Sequence, residues 1–133
     1  MKGVIETDAG RLHGQVSGLQ CQGHRLVTIT CLDAGDAHEV LYHFDKDYVL
    51  TTLRLLLPRG QPLPSISNLF FAAALVENEI QDLFGIPVTG LAIDYQGRFL
   101  LAEAAPRAPL NKSCGMGVDV RQRPAAAPAE GPA

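Results

Sequence analysis

The stretch between residues 69 and 87 constrains the fold of this chain more than any other part of its sequence. Eight consecutive apolar residues, 69–76, run directly into the acidic sequence ENEIQDLFG. The pattern predicts a helix with Ser65 or Ser67 as its N-cap, closed by Gly85 and Pro87. One broad face of this helix is apolar and should pack on the sheet: Leu69, Ala72, Ala73, Val76, Ile80, Leu83 and Phe84.

The other side of the predicted helix is also partly apolar. Phe71 and Leu75 lie there four residues apart, among Asn78, Glu79 and Asp82. A surface helix is usually polar on that side, and a helix with apolar residues on two sides is usually covered on two sides. We therefore expect another protein to cover part of this helix. Scattered exposed apolar residues are the simpler alternative.

Three carboxylates, Glu77, Glu79 and Asp82, lie towards the end of the predicted helix, where the helix dipole is negative. At an exposed site, each such carboxylate costs about 0.3–1 kcal/mol. No lysine or arginine between residues 69 and 85 offsets the charge. Either the cost is tolerated, or cations from elsewhere meet these groups.

The remaining sequence up to residue 104 predicts an α+β fold. Thr7 or Asp8 can cap a first helix, which ends near Gly23. Three strands follow, HRLVTITCLD, HEVLYHFD and YVLTTLRLLLP, and GRFLL predicts a short fourth strand. This order predicts two layers, in which two helices lie on one face of a mostly antiparallel sheet of about four strands.

Residues 105–133 differ in composition from the domain that we predict over residues 1–104. Five of the nine prolines fall in this region, which has little periodicity. We therefore predict a flexible, extended or disordered C-terminal tail. The tail has a net charge of +2 against −5 for the domain. This charge either favours solubility or lets the tail lie along an acidic partner or anionic lipid headgroups.

Composition argues against several classes of function. The net charge of −3 leaves no basic surface of the kind that binds nucleic acid. No apolar run approaches the roughly 20 residues of a membrane-spanning helix, and residues 1–10 lack the apolar segment of a signal peptide. Contact with a membrane is therefore expected only through a partner. Cys21, Cys31 and Cys114 form no CxxC pair, which argues against a disulfide framework and against a zinc or iron–sulfur site in this chain.

Catalysis by this chain is the less favoured interpretation of the carboxylates. Glu77 and Glu79 diverge by about 200° around the helix. Glu79 and Asp82 do share a side, where two carboxylates can act as a general acid and base or bind a hard metal ion.

Metal binding by histidine is also disfavoured. His38 and His43 are five residues apart on a predicted strand and therefore point to opposite faces, while His13 and His24 lie on other elements. Cys114, in the sequence KSCGMG, is interpreted as a thiol of the tail.

The sequence LPSISNLFFAAALVENEIQDLFGIPVTG resembles a characteristic segment of the C, or thirty-kilodalton, subunit of the NADH:quinone oxidoreductase (complex I) family. That segment has the form PSI-x-x-x-F/Y-x-x-A, followed by E-x-E-x-x-D-L/M-F-G-I. The residues that match it are Pro64, Ser65, Ile66, Phe70 or Phe71, an alanine, Glu77, Glu79, Asp82, Leu83, Phe84, Gly85 and Ile86. GHRLVTITCLD and EVLYHFDKD also look like strands of this family, so the resemblance covers about residues 10–104.

Departures from the respiratory pattern point to a particular branch. Asn78 stands where respiratory C subunits tend to have arginine, and Gln81 stands where they tend to have tryptophan. The respiratory G-H-P-D-x-R-R stretch is replaced by Gly90 and the sequence LAID. With its short length, the chain looks like the branch found in energy-converting, membrane-bound NiFe hydrogenases, which include the Ech type, the carbon-monoxide-induced type and formate hydrogenlyase.

The resemblance implies a non-catalytic peripheral subunit that scaffolds a large catalytic subunit and an iron–sulfur small subunit. It implies that this chain holds no cofactor, that the Ni-Fe centre and iron–sulfur clusters belong to partner subunits, and that the complex lies at the cytoplasmic, inner face of the cell membrane. Cations of the large subunit, or Arg54 and Arg98 of this chain, would then meet the carboxylates.

Seven residues are accordingly expected to bind a partner: Phe71, Leu75, Glu77, Asn78, Glu79, Asp82 and Arg98. A free-standing α+β binding or regulatory domain with no redox role is the alternative function.

Overall fold

The structure, a computed structural model, describes residues 3–111 of the chain. Two helices and six strands follow one another in these residues. In chain order they are β1 (Val4–Thr7), α1 (Ala9–Cys21), β2 (Arg25–Asp33), β3 (Ala37–Lys46), β4 (Val49–Pro58), β5 (Leu63–Pro64), α2 (Ala73–Phe84) and β6 (Val88–Thr89).

The main sheet has four strands in the order β1-β4-β3-β2. Strands β2, β3 and β4 pair in antiparallel fashion, whereas β1 runs parallel to β4. The predicted α+β architecture, with a mostly antiparallel sheet of about four strands and two helices, is confirmed. A second, two-stranded sheet joins β5 to β6, on either side of α2 in the sequence.

The identity of the fourth strand was predicted wrongly. GRFLL, residues 97–101, forms turns and bends, and the fourth strand is β1 at the other end of the chain. Strand β1 has only four residues, of which Val4, Ile5 and Glu6 are exposed. It therefore lacks the alternating pattern that marks a half-buried strand.

The core lies between one face of the sheet and the helices. Leu12 and Val16 of α1 and Ile80 of α2 belong to the same apolar cluster as the inward side chains of the sheet. The sheet contributes alternate residues of its central strands, as the period of two requires: Val40, Tyr42 and Phe44 of β3, and Leu53, Leu55 and Leu57 of β4.

Helix α1 begins and ends where the sequence predicts. Asp8 is the N-cap, and its Oδ1 accepts a hydrogen bond from the backbone N–H of Arg11 at 2.9 Å. Gln22 is the C-cap, and Gly23 follows it with a φ of 88°. Glycine suits that position because this left-handed conformation costs it no steric strain.

Helix α2 is shorter than predicted. It begins at Ala73, and its N-cap residue Ala72 makes no side-chain capping bond. Ser65 and Ser67 are therefore not helix caps, because the chain around them forms strand β5 and turns. The predicted end is correct, since Gly85 follows the last helical residue in the left-handed conformation, with a φ of 67°.

Two residues beyond the predicted boundary at residue 104, Leu110 and Asn111, contact the end of α2. Leu110 donates its backbone N–H to the carbonyl of Leu83 at 2.9 Å, and the side chain of Asn111 donates to the carbonyl of Phe84 at 2.7 Å. The predicted tail falls outside the described residues from residue 112 onward, and Cys114 with it.

Two glycine-to-alanine substitutions test this description of the helix ends. Gly85→Ala would force a Cβ into a left-handed position and to within 3.1 Å of the Cβ of Ala108. We expect a loss of about 1–2 kcal/mol in the free energy of unfolding, measured by thermal or urea denaturation.

Gly14→Ala is the matched control, since Gly14 lies inside α1 and a Cβ there meets nothing within 4 Å. It should stabilise the chain by up to about 1 kcal/mol. Equal effects of the two substitutions would contradict the assignment of Gly85 as the residue that closes α2.

Candidate partner-binding surface on helix α2

Glu77 lies in the middle of α2 with its side chain fully buried. One of its oxygens accepts the hydroxyl hydrogen of Ser65, and the other accepts the backbone N–H of Ile66 at 2.8 Å. Ser65 in turn lies 2.7 Å from the hydroxyl of Ser67. Ser65 and the backbone of Ile66 thus fix Glu77 to the turn that precedes the helix, and Ser67 supports Ser65. This contact accounts for the serines that the sequence pattern assigned to helix capping.

Burial governs the protonation of Glu77. The pKa of its carboxyl is raised by burial, and the hydrogen bonds from Ile66 and Ser65 oppose part of that rise. Tyr42 of β3 is also buried, and its pKa is raised well above its usual range, first by burial and then by the charge of Glu77. The Tyr42 hydroxyl has no hydrogen-bond partner among the described residues.

Asn78, the next residue of α2, is also fully buried. Its side-chain amide donates to the carbonyls of Ala74 and Ile93, both at 2.7 Å, and its side-chain oxygen accepts from the backbone N–H of Tyr95 at 2.9 Å. Asn78 therefore supplies hydrogen bonds to two backbone groups of a segment that has no regular secondary structure of its own.

Asp82 has the same role one turn further along α2. Its Oδ2 accepts the backbone N–H groups of Leu100 and of Leu101, the second at 3.1 Å. Asp82 is 2% exposed, and its Oδ1 has no hydrogen-bond partner among the described residues. The carboxylate meets backbone donors here rather than a cation.

Residues 91–111, which we call the strap, are the segment that these side chains hold. Gln81 of α2 adds a hydrogen bond to the carboxylate of Asp94 at 3.1 Å, and Ser67 accepts the backbone N–H of Ala92 at 2.9 Å. At the other end of the strap, Asn111 contacts the carbonyl of Phe84 and lies 2.8 Å from Nε2 of His38. The strap thus follows the second half of α2, from Asn78 to Phe84.

The outer surface of this region is apolar although the groups beneath it are polar. Phe71 is 65% exposed and Leu75 is 55% exposed. Three strap residues whose backbones are held by Asn78 or Asp82 are also exposed by 43–55%: Ile93, Tyr95 and Leu100. We call these five residues the α2 surface.

The seven residues expected to bind a partner therefore separate into two groups. Glu77, Asn78 and Asp82 are buried and make their hydrogen bonds within the chain, so a partner cannot reach them in this conformation. The other four are exposed: Phe71, Leu75, Glu79 and Arg98. For those four, partner binding stays a prediction.

The expectation that Arg54 or Arg98 neutralises the carboxylates of α2 is wrong. Arg54 donates to Glu39 at 2.6 Å and to Glu6 at 2.9 Å, and these two carboxylates raise its pKa. Arg98 lies 3.9 Å from Glu103, and both side chains are exposed. Backbone N–H and hydroxyl groups replace the expected cations, an arrangement that residue types and spacing did not indicate.

The histidines do not form a site together. His38 is buried with its ring edge-on to Phe84, whereas His43 lies between the hydroxyls of Thr30 and Thr52. Within residues 3–111, no group of three or more His, Cys, Asp or Glu side chains is arranged to hold a metal ion. No helix in this part of the chain has both the length and the hydropathy needed to cross a bilayer.

The sequence matches the family model described as respiratory-chain NADH dehydrogenase, 30 Kd subunit, over residues 6–119. The chain belongs to this family. The predicted resemblance to the complex I C subunit is thereby confirmed, and the match extends further in both directions than the segment that the motifs indicated. No curated protein matches the chain.

A chain of similar fold occurs in a solved structure of the membrane-bound sulfane sulfur reductase, described as an archaeal respiratory membrane complex. The TM-score is 0.67 at 17% sequence identity, over 74% of the present chain. The present chain spans 62% of the length of that chain. At this identity the likeness shows that the two chains share a fold.

Glu77→Gln tests the buried carboxylate through the pH dependence of stability. The pKa of Glu77 is higher in the folded chain than in the unfolded chain. At a pH between these two pKa values, the folded chain therefore binds more protons than the unfolded chain. The contribution of Glu77 to the free energy of unfolding consequently falls as pH rises through this range. Glutamine keeps an acceptor for Ile66 and does not ionise. We expect the stability of the variant relative to the original chain to increase from pH 4 to pH 8.

Urea denaturation across this pH range measures the free energy of unfolding of both proteins. The contributions of the other titrating groups largely cancel in the difference between the two values. A relative stability of the variant that decreases as pH rises would contradict the raised pKa.

Asp82→Asn and Glu79→Gln separate the buried carboxylate from the exposed one. Asparagine can keep one oxygen for the N–H groups of Leu100 and Leu101, but it loses the charge that strengthens both hydrogen bonds and places a buried NH₂ group where Oδ1 has no partner among the described residues. We therefore expect a loss of about 1–3 kcal/mol in the isolated chain. Glu79 is exposed, and its replacement should change stability by about 0.5 kcal/mol or less.

Thermal melts of the two single variants, side by side, make the comparison. If Asp82→Asn leaves the melting temperature unchanged, the hydrogen bonds that Asp82 accepts from the strap do not hold it in place.

Proposed function

We propose that this chain is a non-catalytic, peripheral subunit of a membrane-associated, multisubunit oxidoreductase. The proposed complex is of the energy-converting NiFe hydrogenase or NADH dehydrogenase type. In it, the chain scaffolds the large catalytic subunit and the iron–sulfur small subunit, which hold the Ni-Fe centre and the iron–sulfur clusters. It lies on the cytoplasmic side of the membrane and is attached to it through these partners.

Membership of the 30 Kd subunit family supports the assignment to such a complex. The departures at Asn78 and Gln81 and the missing G-H-P-D-x-R-R stretch support the hydrogenase branch. In this fold those two side chains hold the strap: Asn78 contacts Ile93 and Tyr95, and Gln81 contacts Asp94. The departures therefore occur where this chain needs uncharged hydrogen-bonding groups.

The α2 surface is the observation that carries the proposed scaffolding role. The polar side chains of α2 that lie next to the strap are turned inwards, and five large apolar side chains are left facing outwards. Large apolar side chains exposed together on one helix and the segment beside it favour a contact with another protein. Glu79 and Asp94 are exposed beside it, so the proposed partner surface is apolar with cations at its rim.

Co-purification from the native membrane fraction tests the proposal. A tagged full-length chain should bring down a nickel-containing large subunit and an iron–sulfur subunit, identified by mass spectrometry and by metal content. Phe71→Ser combined with Leu75→Ser should reduce recovery of both by about tenfold or more, because buried apolar anchors of an interface contribute on the order of 2 kcal/mol each.

Tyr48→Ser is the matched control. Tyr48 is 99% exposed in the turn between β3 and β4 and lies on a different element from α2, so its loss should leave recovery unchanged. Full recovery of both subunits by the double variant would refute the role of the α2 surface. Absence of both subunits from the original preparation would favour the free-standing binding domain.

A further inference from the structure

A series of hydrogen bonds connects the middle of α2 to the start of the strap. Ala92, the second residue of the strap, donates its backbone N–H to the hydroxyl of Ser67 at 2.9 Å. The hydroxyls of Ser67 and Ser65 lie 2.7 Å apart, and Ser65 donates to the carboxylate of Glu77. These three side chains, which we call the relay, are all buried. They therefore depend on one another, rather than on water, for their hydrogen bonds.

The number of hydroxyl hydrogens gives the relay a direction. Ser65 has one hydroxyl hydrogen and gives it to Glu77, so Ser67 is the donor in the contact between the two serines. The Ser65 oxygen also accepts the backbone N–H of Ser67 at 3.0 Å, which fills its two acceptor positions. Every hydrogen in the series thus points towards the carboxylate: from Ala92 to Ser67, from Ser67 to Ser65, and from Ser65 to Glu77.

This direction suits an ionised Glu77 better than a protonated one. An ionised carboxylate only accepts hydrogen bonds, and a bond to a charged acceptor is stronger than a bond to a neutral one. Because each bond in a series polarises the next, the charge also strengthens the bond from Ala92 to Ser67. Protonation removes that charge. A proton on the oxygen next to Ser65 also competes with Ser67 for the acceptor positions of Ser65.

The titratable groups that face Glu77 from the sheet stay uncharged near neutral pH. Tyr42 of β3 senses the charge of Glu77, and its pKa is raised well above its usual range, first by burial. Cys31 of β2 acts on Tyr42 in turn, and burial raises the pKa of this thiol to about 12. On α2 itself, Glu79 is exposed and Asp82 contacts the strap. The charge of the relay is therefore that of Glu77.

We propose that the relay is a protonation-dependent latch, which holds the start of the strap firmly while Glu77 is ionised and loosens it when Glu77 takes up a proton. Ile93, next to Ala92, belongs to the α2 surface, so the order of this surface depends on pH in the same direction. The consequence for partner binding rests on the proposed function, whereas the latch itself does not.

An NMR pH titration of the isolated, full-length chain tests the latch. The ¹³Cδ shift of Glu77 reports its ionisation, and the amide proton shift of Ala92 reports the strength of its hydrogen bond to Ser67. We expect the Ala92 amide proton to move upfield as pH falls, because that bond weakens, and to follow the same curve as the ¹³Cδ of Glu77. Different curves for the two nuclei, or an Ala92 amide that does not shift, would overturn the proposal.

Ser65→Ala distinguishes transmission through the relay from the electric field of the carboxylate. The substitution removes the link between Glu77 and Ser67 but leaves the contact of Ile66 with Glu77 and that of Ala92 with Ser67. In this variant, the Ile66 amide should still follow the titration of Glu77, and the Ala92 amide should no longer do so. An Ala92 amide that still follows Glu77 would assign the effect to the field alone and overturn the proposal.

Glu77→Gln tests the latch independently of the Ser65 variant. Because glutamine does not ionise, the Ala92 amide proton of this variant at pH 8 should lie upfield of its position in the original chain. The amide of Leu101, which donates to Asp82, is the control and should have the same shift in both proteins. An unchanged Ala92 shift refutes the latch. These measurements need no partner subunit, so their outcome is independent of the proposed function.

Discussion

The packing of an irregular segment on a helix is the constraint on which much of this structure depends. The strap forms no ladder of its own, so its backbone N–H and C=O groups need partners wherever they are shielded from water. Asn78 and Asp82 supply those partners from the side of α2. Because these polar side chains point towards the strap, they do not lie on the surface. The exposed side chains are instead those of Phe71, Leu75 and the apolar residues of the strap.

Glu77 applies the same principle to the turn that precedes the helix. A buried carboxylate without a cation is costly unless hydrogen bonds satisfy it, and Ser65 and Ile66 provide those bonds. The contact ties the turn before α2 to the middle of the helix. Glu77 thus acts on the preceding turn and Asp82 on the following strap, and both replace a cation by neutral donors. Two acidic residues that look alike in the sequence therefore join α2 to different parts of the fold.

The proposed function rests on the family and on the arrangement of α2, in which polar side chains are buried and apolar side chains are exposed. The 30 Kd subunit family indicates a complex of several chains, and the α2 surface is where such a partner would make apolar contact. Buried Glu77, Asn78 and Asp82 shape that surface from beneath by fixing the turn and the strap.

The sequence by itself determined the order α1, β2, β3, β4 and α2, both ends of α1, the end of α2 and the family. These features rest on local signals: the cap at Asp8, the left-handed glycine Gly85, the period of two in β3 and the motif around Glu77. Only the tertiary structure decided that β1 rather than GRFLL completes the sheet, that α2 begins at Ala73, and that Glu77 and Asp82 bind neutral donors. Those outcomes depend on which distant backbone groups remain unpaired after folding, and the spacing of residues along one helix carries no information about them.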